Sequence, residues 1–184
     1  MKTLILYHSQ TGFTRRYAEL LAQRLQCSAE ALEAKPTLDA YECVIFGSWV
    51  CAGSIQKLNP FKRMLPSMAG KRIIVFAVGS TPPGMTDAAE QIFARAFTTE
   101  ERKSIRTFYL QGGLNYERMR GAHRLLLRLL CHMLRGKKQP TEEEKAMLQT
   151  LSGSFDAVDE RSIEPIVEAA RGGTEANNGR AKAD

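Results

Sequence analysis

The sequence predicts an α/β protein in which helices cover both faces of an open, largely parallel β-sheet. Short apolar runs recur along residues 2–111 with few polar interruptions, which is typical of strands buried on both faces. Amphipathic helical patterns lie between several of these runs. This alternation of strands and helices is the pattern of a doubly wound sheet, whose parallel strands are joined by right-handed crossovers.

The strands are predicted from runs that are rich in β-branched and aromatic residues. Four runs are clear and lie at 2–7, 43–47, 72–78 and 105–111. A fifth candidate at 28–34 is weaker and could equally be a loop.

The helices are predicted from apolar residues that recur at intervals of three and four. The predicted ranges are 14–26, 58–65, 86–97, 117–135, 141–151 and 159–171. Thr141 and Glu144 have the spacing of a capping box, which marks a helix start. Residues 172–184 contain no apolar side chain larger than alanine, so we expect a disordered tail there.

The composition is that of a globular protein with a moderate basic excess. The chain has 184 residues, of which 43% are hydrophobic and 25% charged, and its net charge is +6. This length predicts one domain over residues 1–171, with a helical insertion at 117–151. The cysteines at 27, 43, 51 and 131 form no CxxC pair and no zinc-ligand pattern. No signal peptide or membrane-spanning run is recognised, so we expect a cytoplasmic protein.

The loop after the first strand is a candidate anion site. It combines hydroxyl groups and a glycine with the start of a helix, whose free N–H groups and positive dipole end attract anions. Neither GxxxxGK[ST] nor GxGxxG is present, so a phosphate would be held by N–H and hydroxyl groups alone. In the alternative interpretation, the hydroxyls only cap the helix. The candidate residues are Ser9, Gln10, Thr11, Gly12, Phe13 and Thr14.

Two further loops are predicted at the carboxyl edge of the sheet, where open α/β folds bind ligands. The first contains the only tryptophan of the chain, which would either cover a planar ligand or pack on its own loop. The second is rich in glycine and proline, which let a backbone approach a ring edge but are also common in plain βα connections. The candidates are Ser48, Trp49, Val50, Cys51, Ala52 and Gly53 in the first loop, and Gly79, Ser80, Thr81, Pro82 and Gly84 in the second.

Taken in order, these loops resemble those of the flavodoxin family. The family's FMN phosphate motif has the form [ST]-x-T-G-x-T, and the residues that match it are Ser9, Thr11, Gly12 and Thr14. Residues 47–49 and 78–84 occupy the places of the two loops that flank the flavin ring. The resemblance implies a flavodoxin-like fold with five parallel strands in the order 2-1-3-4-5. It also implies FMN as the cofactor, with Trp49 covering one face of the ring.

Within the family, the chain is similar to the menaquinone-dependent protoporphyrinogen oxidases and to other flavodoxin-domain proteins of the same layout. The opening segment 1–18 and the long basic segment after residue 116 carry this similarity. It implies electron transfer between a donor and a protein, quinone or porphyrinogen-type acceptor. It does not decide whether the protein is an enzyme, and it assigns no catalytic acid or base. The chain departs from small carrier flavodoxins in being basic rather than acidic.

The predicted helix at 117–135 is amphipathic and basic. Between 118 and 140 there are seven Arg or Lys residues and no acidic residue, and Arg120, Arg124 and Arg128 share one helix face. Such a helix would lie on an anionic membrane surface, dock an acidic redox partner, or pack on the sheet through its leucines. Nucleic-acid binding is not expected, because no recognised motif accompanies the charges.

Two alternatives to a redox function remain at this stage. The chain could be a non-catalytic flavodoxin-fold module that binds a partner or an anionic membrane through the basic helix. It could also keep the fold and bind a different phosphate at the first loop. Flavin absorbance of the purified protein would favour the redox function over both.

Overall fold

The computed structural model describes residues 1–34, 36–82, 85–119, 121–137, 139–151 and 153–172. Two residues predicted to make contacts, Gly84 and Arg120, lie outside the described residues, as does the predicted tail from residue 173 onward. Within the described residues, a parallel sheet carries helices on both faces, which confirms the predicted fold class.

The strands are β1 (Thr3–His8), β2 (Ser28–Ala31), β3 (Cys43–Cys51), β4 (Ser54–Ile55), β5 (Arg72–Gly79), β6 (Ile105–Gln111), β7 (Gly113–Leu114) and β8 (Phe155–Asp156). The central sheet has the order β2-β1-β3-β5-β6, and these five strands are parallel. The short strand β4 pairs antiparallel with β3, and β7 pairs antiparallel with β8. The predicted order 2-1-3-4-5 is therefore confirmed for the parallel strands.

In the described parts of the chain, the α-helices are α1 (Phe13–Leu25), α2 (Leu58–Lys62), α3 (Thr86–Ala96), α4 (Glu101–Ser104), α5 (Gly121–Arg135), α6 (Glu142–Leu151) and α7 (Glu164–Arg171). The predicted capping box is present at the start of α6. The Glu144 N–H donates to Thr141 Oγ1 at 3.2 Å, and the Thr141 N–H donates to a Glu144 carboxylate oxygen at 3.1 Å.

The strands of the central sheet face two separate hydrophobic cores. Leu4 and Val44 pack on the face covered by α2 and α3, whereas the next residues, Ile5 and Ile45, pack on the face covered by α1 and α7. Successive strand residues point to opposite faces, so residues 4–6, 43–46 and 73–78 are buried at every position. This explains why the strands read as uninterrupted apolar runs.

Strand β3 is longer than predicted, and this changes the first ring-flanking loop. The predicted strand ended at residue 47, but β3 continues to Cys51 and then turns back into β4. The segment 48–51 was expected to be a loop, and that expectation is wrong because it pairs with β5 and β4. Only Ala52 and Gly53 form the turn. Their φ angles of 47° and 73° are what a two-residue type I′ hairpin requires.

Helix α5 packs on α6 and exposes most of its apolar face. A small core of Leu114, Cys131 and Leu151 joins the two helices to β7. On the other side of α5, Leu125 is 69% exposed and Met133 is 62% exposed. The alternative in which α5 packs on the sheet through its leucines is therefore wrong. Among the described helices, none is long and apolar enough to cross a membrane.

Candidate functional site

The three predicted site segments meet at one edge of the sheet. Strand β1 pairs with β3, and His8, the last residue of β1, lies opposite Ser48. Strand β3 pairs in turn with β5, where Trp49 lies opposite Val78. Because all three strands are parallel, the segments that follow them emerge side by side.

The loop between β1 and α1 has the geometry of an anion site. Gly12 has a φ of 104°, a left-handed conformation that disfavours other residues. Its N–H donates to Ser9 Oγ at 3.2 Å, which folds the loop back on itself. The first N–H groups of α1, beginning with Phe13, have no acceptor inside the helix. The first turn of α1 contains no acidic residue, so its positive end is uncompensated.

Thr14 is the most informative residue of this loop. It is only 1% exposed, and its hydroxyl oxygen is buried without a hydrogen-bond partner among the described residues. A buried hydroxyl of this kind costs about 1–3 kcal/mol, so a ligand that accepts a hydrogen bond from it would recover part of this cost. The N-cap of α1 is Gly12, and the helix has no side-chain capping hydrogen bond. The Ser9 hydroxyl accepts a hydrogen bond from the N–H of this N-cap residue, whereas the Thr14 hydroxyl makes no capping bond among the described residues.

The remaining residues of the loop have different roles. The aromatic ring of Phe13 packs inward, where its Cζ lies 2.7 Å from the place of a Cβ on Gly113. A Gln10 side-chain nitrogen lies 3.1 Å from His123 Nδ1. Thr11 is half-buried. Phe13 therefore packs against Gly113 on the inner side of the loop, whereas the Gln10 side chain contacts His123 of helix α5.

Trp49 lies beside the loop and contacts the same histidine. The ring centroids of Trp49 and His123 are 5.0 Å apart, and the rings are nearly perpendicular. The indole N–H of Trp49 is buried and has no partner among the described residues. His123 therefore covers the space between Gln10 and Trp49. Sequence reasoning missed it, because no local pattern links residues separated by 113 positions.

The other residues of the β3–β4 hairpin make contacts within the protein. The Ser48 side chain is fully buried, and its hydroxyl donates to the Gln56 carbonyl at 2.6 Å. Val50 packs against the core. Burial raises the pKa of the Cys51 thiol, which favours the protonated form at neutral pH.

The segment after β5 is held by a tyrosine of β6. A Cβ on Gly79 would lie 2.2 Å from the Tyr109 hydroxyl oxygen, so only glycine fits beneath this side chain. The same hydroxyl accepts a hydrogen bond from the Thr81 N–H at 3.0 Å, and burial raises the pKa of Tyr109. Ser80 is half-buried and Pro82 is exposed.

A family model of the flavodoxin domain matches residues 4–141. The chain belongs to the flavodoxin family. Membership supports a redox function with FMN in general terms, and it agrees with the sheet order described above. The match also extends through the basic helix α5 (Gly121–Arg135), so this helix lies inside the flavodoxin domain.

Solved flavodoxin structures resemble this chain at low sequence identity. A WrbA-like flavodoxin from Agrobacterium tumefaciens is 18% identical, over 67% of this chain and 88% of that chain, with a TM-score of 0.43. Oxidised flavodoxin 2 from Bacillus cereus is 23% identical, and the match covers 60% of this chain and 84% of that chain, with a TM-score of 0.42. A flavoprotein from Lactobacillus acidophilus NCFM in complex with FMN is 18% identical, and the match covers 60% of this chain and 91% of that chain, with a TM-score of 0.38. A search of curated proteins finds no significant match.

A cation also lies beside the loop of residues 9–14. Arg118 precedes α5, and its Nη1 atom lies 3.5 Å from the place of a Cβ on Gly12. The sequence predicts a phosphate held by N–H and hydroxyl groups alone, and the structure adds a guanidinium beside the same loop. The loop's own sequence could not reveal this cation, because it comes from the far end of the domain.

Proposed function

We propose that the protein binds FMN non-covalently and transfers electrons between a donor and a protein, quinone or porphyrinogen-type acceptor. The observation that carries the proposal is the buried hydroxyl of Thr14, which has no hydrogen-bond partner in the described parts of the chain and lies in a loop with the family's phosphate motif. A phosphate oxygen is a strong hydrogen-bond acceptor and would satisfy this hydroxyl. When bound, FMN supplies the redox chemistry, and the protein supplies binding, orientation and electrostatics.

Different residues of the chain would bind the two ends of the cofactor, which are the phosphate and the flavin ring. The loop of residues 9–14 binds the phosphate through hydroxyl and backbone N–H groups. Trp49 faces the ring and supplies an aromatic contact. The Ser48–Gln56 and Thr81–Tyr109 hydrogen bonds, at 2.6 Å and 3.0 Å, fix the segments on either side of the ring. Loops fixed in this way lose little conformational entropy when they bind.

The first prediction is that FMN changes the emission of Trp49. Because Trp49 is the only tryptophan, the intrinsic tryptophan fluorescence reports on this site alone. We expect FMN to quench it with a stoichiometry of one per chain, since the flavin ring stacks beside the indole. The matched control is Trp49→Phe, which should still take up FMN but lose the tryptophan signal. A protein that stays colourless after incubation with FMN and desalting would contradict the proposal.

The acceptor can be identified by offering each candidate separately. The FMN-loaded protein is reduced under anaerobic conditions and mixed with a quinone or with a porphyrinogen. Reoxidation of the flavin absorbance by one of the two, at a rate well above that of free FMN, assigns the acceptor class. If the quinone and the porphyrinogen both reoxidise the bound flavin only at the rate of free FMN, a protein acceptor is the class that fits.

We further propose a peripheral contact with an anionic membrane through α5. Its exposed apolar face is formed by Leu125, Leu126, Leu129, Leu130 and Met133. Arg128, His132 and Arg135 line one border of this face and are exposed. An apolar stripe bordered by cations is the pattern of a helix that lies in a membrane interface. This arrangement supports the contact, and it would place the cofactor domain next to a membrane-dissolved quinone.

Arg124 differs from Arg128, with which it was predicted to share the basic face of the helix. Its guanidinium donates to the Glu117 carbonyl at 3.0 Å and to the Met119 carbonyl at 3.4 Å. Its Nε atom is buried without a partner among the described residues. Arg124 therefore holds the turn before α5 and is poorly placed to reach a membrane, although it was predicted in the same row as Arg128.

The second prediction concerns Arg128 and lipid vesicles. Each basic residue near an anionic surface contributes about 1 kcal/mol. We therefore expect Arg128→Gln to lower the partition coefficient onto phosphatidylserine-containing vesicles roughly fivefold, measured by vesicle pelleting. Arg63→Gln, which removes an exposed charge at the end of α2, should leave the partition unchanged. Equal pelleting with neutral and anionic vesicles would contradict the membrane contact.

A further inference from the structure

The turn that carries Arg118 is held in place by several hydrogen bonds. The Arg118 N–H donates to Asn115 Oδ1 at 3.0 Å, and the Tyr116 N–H donates to Ser154 Oγ at 3.1 Å. The Tyr116 hydroxyl donates to the Leu151 carbonyl. Arg124 holds the same turn through the carbonyls of Glu117 and Met119. The backbone of this turn is therefore fixed on both sides of Arg118.

The Arg118 guanidinium is available for a ligand. Within the described parts of the chain, it has no carboxylate partner. The two arginines at the start of α1 are already engaged, because Arg15 pairs with Glu19 at 2.7 Å and Arg16 pairs with Asp156 at 2.6 Å. Arg118 therefore lies at the phosphate loop, and its guanidinium takes part in neither of these ion pairs.

We infer that Arg118 binds the phosphate of FMN and supplies the positive charge that the Ser/Thr loop lacks. This inference rests on the proposed function. A phosphate monoester carries a charge between −1 and −2 near neutral pH, and the loop offers only neutral donors and a helix dipole. A guanidinium presents several N–H donors in a planar fork that matches phosphate oxygens. The helical insertion would then form one wall of the cofactor site.

The inference makes a specific statement about ligand selectivity. Riboflavin has the same ring as FMN but no phosphate, so Arg118 should not contribute to riboflavin binding. We expect Arg118→Gln to weaken FMN binding about tenfold and to leave riboflavin binding unchanged, because hydrogen bonds to charged groups are the strong ones. Dissociation constants come from quenching of flavin fluorescence. The matched control is Arg63→Gln, which removes the same charge at an exposed position.

A second measurement needs no flavin. Inorganic phosphate that binds the folded apoprotein should raise its melting temperature by mass action. We expect this rise in the parent protein and in Arg63→Gln, and a smaller rise in Arg118→Gln. Sodium chloride at equal ionic strength controls for general screening.

The outcomes separate this inference from the proposed function. If the parent protein binds neither FMN nor riboflavin, the proposed function fails, and the inference fails with it. If the parent protein binds FMN but Arg118→Gln keeps the same ratio of FMN to riboflavin affinity, the inference alone is overturned. A selective loss of FMN affinity, together with a smaller stabilisation by phosphate, supports it.

Discussion

Thr14→Val should weaken FMN binding about 30-fold and, at the same time, stabilise the apoprotein by about 1 kcal/mol. Valine has nearly the shape of threonine, so packing around this buried residue is kept. The lost hydroxyl no longer donates to the phosphate, and hydrogen bonds to charged groups contribute about 1.5–3 kcal/mol. In the apoprotein, the same change removes a buried polar atom that has no partner among the described residues, and such an atom is unfavourable when unpaired.

Thr14→Val is diagnostic because it should weaken FMN binding and, at the same time, raise the stability of the apoprotein. Affinity is measured by flavin fluorescence quenching and stability by urea unfolding of the apoprotein. Riboflavin affinity should not change, since riboflavin lacks the phosphate. Thr37→Val, at an exposed position, is the matched control and should change neither quantity. A Thr14→Val protein that binds FMN as tightly as the parent would contradict a phosphate-binding role for this hydroxyl.

Gly47→Ala should destabilise the protein by about 3 kcal/mol. Gly47 lies in β3 directly under the ring of Phe76, and a Cβ at this position would lie 2.0 Å from Phe76 Cζ. Phe76 is fully buried, so its ring can move only by displacing other core residues. Overpacking of a dense core costs about 1–3 kcal/mol and sometimes more, and this contact is shorter than any packing can tolerate. The midpoint of urea unfolding measures the effect.

Two companion variants make this result specific. Gly121→Ala at the start of α5 has no atom within 4 Å of the added Cβ and should be neutral or slightly stabilising. Combining Gly47→Ala with Phe76→Leu should cost less than the sum of the two single changes, because the smaller side chain makes room for the new methyl group. Additive effects of the two changes would show that the close contact is not the cause.

The sheet was predictable because its determinants are local. Runs such as 43–46 and 73–78 are apolar at every position, and the residues on each face have a helix layer to pack against. The end of β3 was not predictable in the same way. Trp49 and Cys51 look like loop residues after a glycine, but pairing with β5 and the turn at Ala52 and Gly53 extend the strand. Strand ends depend on partners that the local sequence does not specify.

The grouping of the three candidate segments at one edge of the sheet was predictable, and the first loop was predictable in the most detail. There, hydroxyls, a glycine and a helix start are consecutive, so the motif itself brings them together. His123 and Arg118 reach the same place from a distant helical segment, and neither has a sequence pattern that indicates a contact with residues 10–12. The exposure of the α5 leucines was left open among the alternatives. Periodicity identifies an apolar face, but it does not say whether another part of the chain covers it.

The most direct test of FMN binding is a crystal structure of the protein grown with FMN. We expect the phosphate at the loop of residues 9–14, within hydrogen-bond distance of Thr14 Oγ1, and the flavin ring beside Trp49. His123 would then have shifted from its present contact with the indole to make room for the ring. A structure in which FMN is bound elsewhere, or in which the loop remains closed over Thr14 at saturating FMN, would contradict the proposed function.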